Sequence, residues 1–208
     1  MAMRQFIGFA IVGVAVAYGA GASDLAAGAS RTGLISIFEG SKETVSLQGV
    51  GGVIPLDQVQ ASQSGSVTQT VATTEITVTY DRPVARGREL FGGIVAYGEI
   101  WNPGANDATK IEISRPITIN GESLDAGAYS VWAIPDPEEW TVIFSSAADV
   151  YHTPYPGEEH DALRLGVSPA SGDHMETLAF YFPAVEKKDT VLRLHWGETV
   201  IAFDITVP

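Results

Sequence analysis

Residues 192–207 read LRLHWGETVIAFDITV and carry the clearest structural signal in the chain. Apolar residues stand at every second position from Leu192 to Trp196 and again from Ile201 to Val207. Successive side chains of a β-strand point to opposite faces of a sheet, so this period of two predicts strands with one dry face. The same alternation occurs in three other segments: Ile76/Val78/Tyr80, Leu163/Leu165/Val167 and Leu178/Phe180/Phe182.

Two segments have the sequence of a β-hairpin. Ile117-Thr118-Ile119 leads into Asn120-Gly121, and a type I′ turn needs positive φ at both central positions, which these two residues tolerate. Residues 129–134 and 140–144 are rich in β-forming side chains and are separated by a proline-bounded loop. Roughly nine or ten short strands result, with almost no helical periodicity. We therefore predict an all-β fold, an antiparallel β-sandwich, with a partly open β-barrel as the alternative.

The N-terminal residues have the pattern of an export signal. A single charge, Arg4, precedes an apolar run and the small residues Ala20-Gly21-Ala22, which predicts a signal peptide over residues 1–22. An uncleaved N-terminal anchor is the alternative, because the uncharged run is close to the shortest that spans a bilayer. Residues 23–64 are rich in Gly, Ala, Ser and Gln and are predicted to form a tether with little regular structure. The β-sandwich domain is then expected over residues 65–208, in an extracytoplasmic location: periplasmic, cell-surface or secreted.

Charge and cysteine content exclude several classes of function. The chain has 25 acidic and 12 basic residues and a formal net charge of −13. Such a polyanion is unsuited to nucleic acid or anionic lipid, since both require a basic surface. We expect contact with a membrane only through the N-terminal segment, if that segment is not cleaved. The chain has no cysteine, so thiolate chemistry is excluded and the fold must rest on an apolar core rather than on disulfides.

The stretch from Tyr80 to Thr109 is the best candidate for a binding surface, because arginines, aromatic rings, amides and carboxylates are concentrated there. Guanidinium groups suit a carboxylate, phosphate or sulfate, although internal ion pairs are their alternative partners in so acidic a protein. An indole beside amide and carboxylate groups suits a sugar or another polar ligand, although the tryptophan can equally belong to the core and the polar pair to a turn. The candidate ligand-binding residues are Arg82, Arg88, Tyr97, Trp101, Asn106 and Asp107.

A metal site is a second candidate. The loop around residues 151–161 holds two imidazoles and several carboxylates, and two His with one carboxylate can bind a metal ion. We therefore take His152, His160 and Asp161 as possible ligands, against the alternative of a solvated acidic loop. The spacing matches no metal motif, and no nucleotide or other cofactor motif is present, so we expect no cofactor.

Four segments together resemble a family of exported bacterial proteins, domain-of-unknown-function family 2911. They begin at residues 80, 95, 117 and 139 and read YDRPVARGRELFGG, VAYGEIWNPGANDATKIEIS, ITINGESLDAGAYSVWAIP and EWTVIFS. The similarity extends from about residue 66 to the C-terminus. Asn102 stands where an arginine is common in the family, and Asp107 stands where glutamate is common. The resemblance implies an exported β-rich domain and no settled activity.

Two functions remain open from the sequence. The first, which we favour, is a non-catalytic module that binds a small polar or anionic ligand or has a structural role in the cell envelope. The second is a metal-dependent or acid-base hydrolase outside the cytoplasm. No nucleophile elbow is present, and carboxylate pairs for glycoside hydrolysis are defined by distance in space, so sequence alone does not identify a catalytic group.

Overall fold

The structure is a computed structural model that describes residues 58–208, and this part of the chain forms ten β-strands, one turn of 3-10 helix and no α-helix. The strands are β1 (Gln63–Val71), β2 (Thr74–Arg82), β3 (Lys110–Ile113), β4 (Ile117–Ile119), β5 (Glu122–Leu124), β6 (Gly127–Ile134), β7 (Trp140–Ser145), β8 (Asp161–Val167), β9 (Ala170–Glu186) and β10 (Asp189–Thr206). The 3-10 turn, Glu158–His160, comes directly before β8.

The strands form two antiparallel sheets. The larger sheet has the order β1-β2-β3-β6-β7-β8, and the smaller sheet has the order β5-β4-β10-β9. The apolar faces of both sheets contribute to one buried cluster, which includes Ile76 and Val78 of β2 and Ile201 and Phe203 of β10. The predicted β-sandwich is therefore confirmed, and the sheets do not close into a barrel.

The hairpin predicted at Asn120-Gly121 connects β4 to β5. Asn120 has φ 50° and Gly121 has φ 87°, as a type I′ turn requires. Asn120 also bonds to the smaller sheet's central strand: its backbone N–H donates to the carbonyl of Asp204 at 2.8 Å, and its side-chain Oδ1 accepts from the Asp204 N–H at 2.8 Å. The turn is thus held by local conformation and by a neighbouring strand.

The second predicted hairpin is formed by β6 and β7, in which Ile134 pairs with Thr141 across the proline-bounded loop. The outer face of β6 carries Trp132, which is 1% exposed although it faces away from the main core. Its indole Nε1 donates to Ser130 Oγ at 2.8 Å, and the ring contacts Tyr155 with centroids 5.4 Å apart. The loop that follows β7 therefore covers the outside of the larger sheet.

The end of β2 and the residues after it join the two sheets. Tyr80 exchanges hydrogen bonds with the backbone of Phe180, and Arg82 Nε donates to the Leu178 carbonyl at 3.0 Å. The Ala85 N–H then donates to the Glu176 carbonyl at 2.7 Å. Residues 80–85 thereby form hydrogen bonds with backbone groups on the outer edge of β9. Because β9 is an edge strand, these groups would otherwise be unpaired.

The N-terminal predictions lie mostly outside the described residues. The signal peptide or anchor of residues 1–22 and the tether as far as residue 57 belong to that part of the chain. The first strand begins at Gln63, two residues before the predicted start of the domain at 65. None of the helical structure found in residues 58–208 is long and apolar enough to cross a membrane.

Candidate functional site

The segment between β2 and β3, residues 83–109, carries five of the six candidate ligand-binding residues and follows directly from the sixth, Arg82. This last residue has a structural role. Its Nε is bonded to Leu178, and its aliphatic stem lies over Gly65, where an added Cβ would be 2.8 Å from Arg82 Cδ. Arg82 therefore packs against the sheets and lines neither of the two cavities described below.

Arg88 is fixed by its own turn. Its Nε donates to the Ala85 carbonyl at 2.9 Å, and its Nη2 donates to the Val84 carbonyl at 2.6 Å. Arg86 begins this turn with φ 54° and Gly87 continues it with φ 67°. The two bonds occupy one edge of the Arg88 guanidinium, so the other edge, formed by Nη1 and the second Nη2 hydrogen, is presented outward.

Trp101 belongs to an aromatic cluster. Its ring is stacked with that of Trp196 at a centroid distance of 6.1 Å and an interplanar angle of 15°. Phe91 and Trp140 meet Trp101 edge-on at 5.8 Å and 6.3 Å. Trp140 and Trp196 are almost fully buried, whereas Trp101 is only partly buried. Trp101 thus packs on the core and also presents part of its surface to solvent.

Asn106 and Asp107 occupy separate places. Asn106 has φ 55°, and its Nδ2 donates to Asp81 Oδ2 at 2.9 Å and to the Ser62 carbonyl at 3.2 Å. Asp107 is exposed and forms an isolated bridge to Tyr151. The Asn106 side chain thus bonds to two other segments, and the side-chain bonds found in residues 58–208 do not include the local one of the turn predicted as its alternative role.

Tyr97 is 43% exposed and lines neither cavity. Its ring lies against Gly92, where an added Cβ would be 2.7 Å from Tyr97 Cε2. The glycine therefore allows the ring to pack over the backbone. The structure places Tyr97 apart from Arg88 and Trp101 rather than beside them.

Two cavities border this segment. The arginine cleft has a volume of about 420 Å³ and includes Arg86, Arg88, Ile94, Trp101, His152 and Trp196. The acidic groove has a volume of about 830 Å³ and includes Gln63, Asp81, Asp107, Lys110, Asp149 and Tyr151. Ser62 lines both, and Asn106 joins their walls through its bonds to Ser62 and Asp81. Of the six candidate residues, Arg88 and Trp101 share the cleft and Asp107 lies in the groove.

The two cavities differ in how their charges are satisfied. In the groove, Lys110 Nζ pairs with Asp149 Oδ1 at 2.9 Å and Asp81 accepts from Asn106. No Asp or Glu lines the cleft among the described residues, and the ion pairs of that part of the chain include neither Arg86 nor Arg88. The expectation that the arginines find internal acidic partners is therefore not met by Arg88, whereas the Glu176 carboxylate lies beside Arg86 and accepts its backbone N–H at 2.7 Å.

His152 contributes to the cleft through a bond that fixes its ring. The backbone N–H of His152 donates to the Asn106 carbonyl at 3.0 Å, and Nδ1 lies 2.6 Å from the same oxygen. A carbonyl only accepts, so Nδ1 carries the proton and donates. The second ring nitrogen, Nε2, is then the atom that remains for a ligand.

The three residues considered for metal binding have separate partners. Asp161 accepts hydrogen bonds from the Tyr155 hydroxyl and from Arg164 Nε, and His160 is exposed in the 3-10 turn. Within residues 58–208 no three His, Asp or Glu side chains form a group that could hold a metal ion. The triad of His152, His160 and Asp161 is therefore not formed, because the acidic member is already paired in its own loop.

The Asp161 contacts change the acid-base behaviour of the loop. Burial, together with the hydrogen bond to Asp161, raises the pKa of Tyr155 to about 12. The same carboxylate raises the pKa of Arg164 above its ordinary value, mainly through their hydrogen bond. These groups form a neutral hydroxyl, a carboxylate and a permanent cation that stabilise one another, which is a structural arrangement.

Asn102, which the family resemblance singled out as standing in place of an arginine, has a structural role. It is 2% exposed, its Nδ2 donates to the Val131 carbonyl at 2.7 Å, and its Oδ1 accepts from the Thr109 N–H at 3.2 Å. The amide thus ties the segment that leads into β3 to the middle of the larger sheet.

A comparison with family models matches the region that forms the two sheets. Residues 62–205 match the family described as protein of unknown function, DUF2911. The chain belongs to the DUF2911 family. Comparison with curated proteins and with solved structures gave no match.

The matched region of this DUF2911 domain begins one residue before β1 and ends inside β10, so it covers nearly all of both sheets. The motif beginning at Tyr80 supplies the bonds to β9 and the arginine turn, and the motif beginning at Val95 supplies Trp101 of the aromatic cluster and Asn102. Many residues of these motifs therefore serve to join the two sheets.

Two members of the cleft were not expected there. Arg86 is separated from Arg88 by Gly87 alone, and this Arg-Gly-Arg sequence is the signal that could have indicated it. Trp196 was recognised only as an apolar strand residue, because nothing local indicates that it stacks on a tryptophan in a distant segment.

Proposed function

We propose that this domain is a non-catalytic module, located outside the cytoplasm, that binds a small anionic ligand in the arginine cleft. The observation that carries the proposal is Arg88, which borders a cavity lined by no Asp or Glu among the described residues and takes part in none of their ion pairs. Arg86 adds a second positive charge at the same cavity, although the Glu176 carboxylate accepts its backbone N–H at 2.7 Å. In a chain of net charge −13, an arginine has many possible internal partners. The Arg88 side chain pairs with no carboxylate of the described residues, so its guanidinium is suited to an external anion.

The geometry favours binding over catalysis. The Nε and Nη2 bonds of Arg88 hold its guanidinium in place before a ligand arrives, which reduces the entropy lost on binding. The cleft offers donors and an aromatic surface, and His152 is its single lining residue among those described that commonly acts as a general base. The extracytoplasmic location rests on the leader-like residues 1–22 of the sequence.

A thermal-shift experiment tests the proposal. Purified protein is heated with acetate, phosphate, sulfate, phenylacetate or an uncharged sugar, because a ligand that binds the native state raises Tm by mass action. The same screen is run on the double variant Arg86→Gln/Arg88→Gln and on Arg115→Gln. Arg115 is exposed between β3 and β4 and lines neither cavity, so it is a matched control for loss of positive charge.

We expect at least one anion to raise the Tm of the parent and of Arg115→Gln, with no shift in the double variant. The shift should shrink at high salt, because exposed guanidinium contacts are screened. The proposal is wrong if the double variant retains the full shift, or if the uncharged sugar alone stabilises the parent.

A further inference from the structure

The arginine cleft has two chemically different halves. Arg86 and Arg88 provide its charged groups, called the polar half, while Ile94, Trp101 and Trp196 provide an apolar surface, called the apolar half. Ile94 is 48% exposed, so the apolar half reaches the solvent at the rim. An inorganic oxyanion would use only the first half and would leave the second half wet.

The apolar half is held rigid before any ligand binds. Trp101 is stacked on Trp196, while Phe91 lies edge-on to both, at 5.8 Å from Trp101 and 6.1 Å from Trp196. Trp140, the fourth ring of the cluster, contacts Phe91 with ring centroids 4.8 Å apart. A flat side chain fixed in this way offers contact area with little loss of conformational entropy, as at many binding sites for rings.

The polar half is suited to a single bidentate head group. Because Val84 and Ala85 occupy the Nε and Nη2 edge of Arg88, that residue has one remaining edge with two parallel N–H groups. Such an edge matches the two oxygens of one carboxylate. A cleft of about 420 Å³ is also within the range of sites for small organic molecules, roughly 300–1,000 Å³.

Trp196 contributes a buried polar group next to the cleft. It is 2% exposed and lines the cleft, yet its Nε1 has no hydrogen-bond acceptor in the described part of the chain. Indole N–H groups usually have a partner when they are buried.

Resting on the proposed function, we infer that the ligand is a small amphipathic organic acid: a ring or short apolar body that bears one carboxylate. The body packs against Trp101 and Ile94, and the carboxylate takes the outward edge of Arg88 with Arg86 beside it. Neither a bare oxyanion nor an uncharged ring satisfies both halves of the cleft.

Calorimetric titration with four probes tests this inference: phenylacetate, acetate, inorganic phosphate and 2-phenylethanol. Phenylacetate should bind at least about tenfold more tightly than acetate or phosphate, a difference of about 1.4 kcal/mol. The uncharged 2-phenylethanol should bind more weakly than phenylacetate by a similar factor. Arg88→Gln should weaken phenylacetate and acetate together.

Two variants isolate the apolar half. Trp101→Leu should lose most of the advantage of phenylacetate over acetate, and circular dichroism establishes that this variant remains folded. Ile94→Ser changes an exposed rim residue, so it keeps the test decisive if Trp101→Leu does not fold. It should weaken phenylacetate several-fold and leave acetate unchanged.

The outcomes separate the two proposals. Equal binding of phosphate, acetate and phenylacetate would overturn the inference of an amphipathic acid and leave the anion-binding function standing. Binding of 2-phenylethanol as tight as that of phenylacetate, or no binding of any anion, would overturn both.

Discussion

At Phe180, on the outer edge of β9, the hydroxyl of Tyr80 makes the backbone hydrogen bonds that a neighbouring strand would otherwise make. It accepts the Phe180 N–H at 3.0 Å and lies 3.3 Å from the Phe180 carbonyl, to which it donates. The two rings also meet edge-on with centroids 5.0 Å apart. One side chain of the larger sheet thus satisfies both backbone groups of a residue in the smaller sheet, 100 positions away.

Removing this hydroxyl should destabilise the sandwich. Tyr80→Phe keeps the ring but leaves the Phe180 N–H without a partner in a buried position, which costs about 1–3 kcal/mol. Urea unfolding measures the change, with Tyr97→Phe as the control because Tyr97 is 43% exposed and its hydroxyl has no bond among the described residues. Equal stability of the two variants would contradict the structural role of Tyr80.

Asn106 should be replaced better by glycine than by alanine. Its φ of 55° costs an ordinary residue roughly 1–2 kcal/mol, and glycine does not pay this cost. Both variants lose the bonds to Asp81 and Ser62. Their difference in unfolding free energy therefore isolates the backbone conformation, and we expect Asn106→Gly to be the more stable by about 1 kcal/mol. The reverse order would mean that the left-handed conformation is not kept in solution.

The loop that carries His152 should respond to alkaline pH through Tyr155. The pKa of this hydroxyl is raised from 10.0 to about 12, so the native state keeps a proton that the unfolded chain loses. The resulting stability is fully present below about pH 10 and is lost as pH rises toward 12. Burial also raises the pKa of Tyr129, so tyrosinate absorbance should show late-ionising tyrosines, and the component near pH 12 should be absent in Tyr155→Phe.

Asp161→Asn provides the matching control for this titration. It removes the carboxylate that accepts from the Tyr155 hydroxyl, so the pKa of Tyr155 should fall toward its ordinary value while burial keeps it somewhat raised. If the ionisation of Tyr155 is unchanged in Asp161→Asn, its raised pKa does not depend on the Asp161 carboxylate.

Local chemistry was sufficient to predict much of the fold. The turn at Asn120-Gly121 is encoded by two adjacent residues that accept positive φ, and the structure has both values. The alternation of Ile201, Phe203 and Ile205 reports which face of β10 is dry, and all three are buried. Features of this kind depend on neighbours in sequence.

The site depended on contacts that the sequence does not encode locally. A period of two indicates which side of a strand faces the core, but it does not indicate which strand lies opposite. The stacking of Trp101 on Trp196 and the bond of Tyr80 to Phe180 follow from sheet topology. The candidate residues adjacent in sequence were therefore divided between the cleft, the groove and the sheet edge.

The position of the ligand is tested most directly by the indole N–H resonances of the four tryptophans. Isotope-labelled protein is titrated with phenylacetate and, separately, with phosphate. Trp132 serves as the internal reference, because its Nε1 donates to Ser130 on the outer face of the larger sheet. With at least one of the two anions, saturable shifts are expected at Trp101 and Trp196, none at Trp132, and none at all in Arg88→Gln. Saturable shifts confined to Trp132, or no saturable shift at Trp101 and Trp196 with either anion, would contradict binding in the arginine cleft.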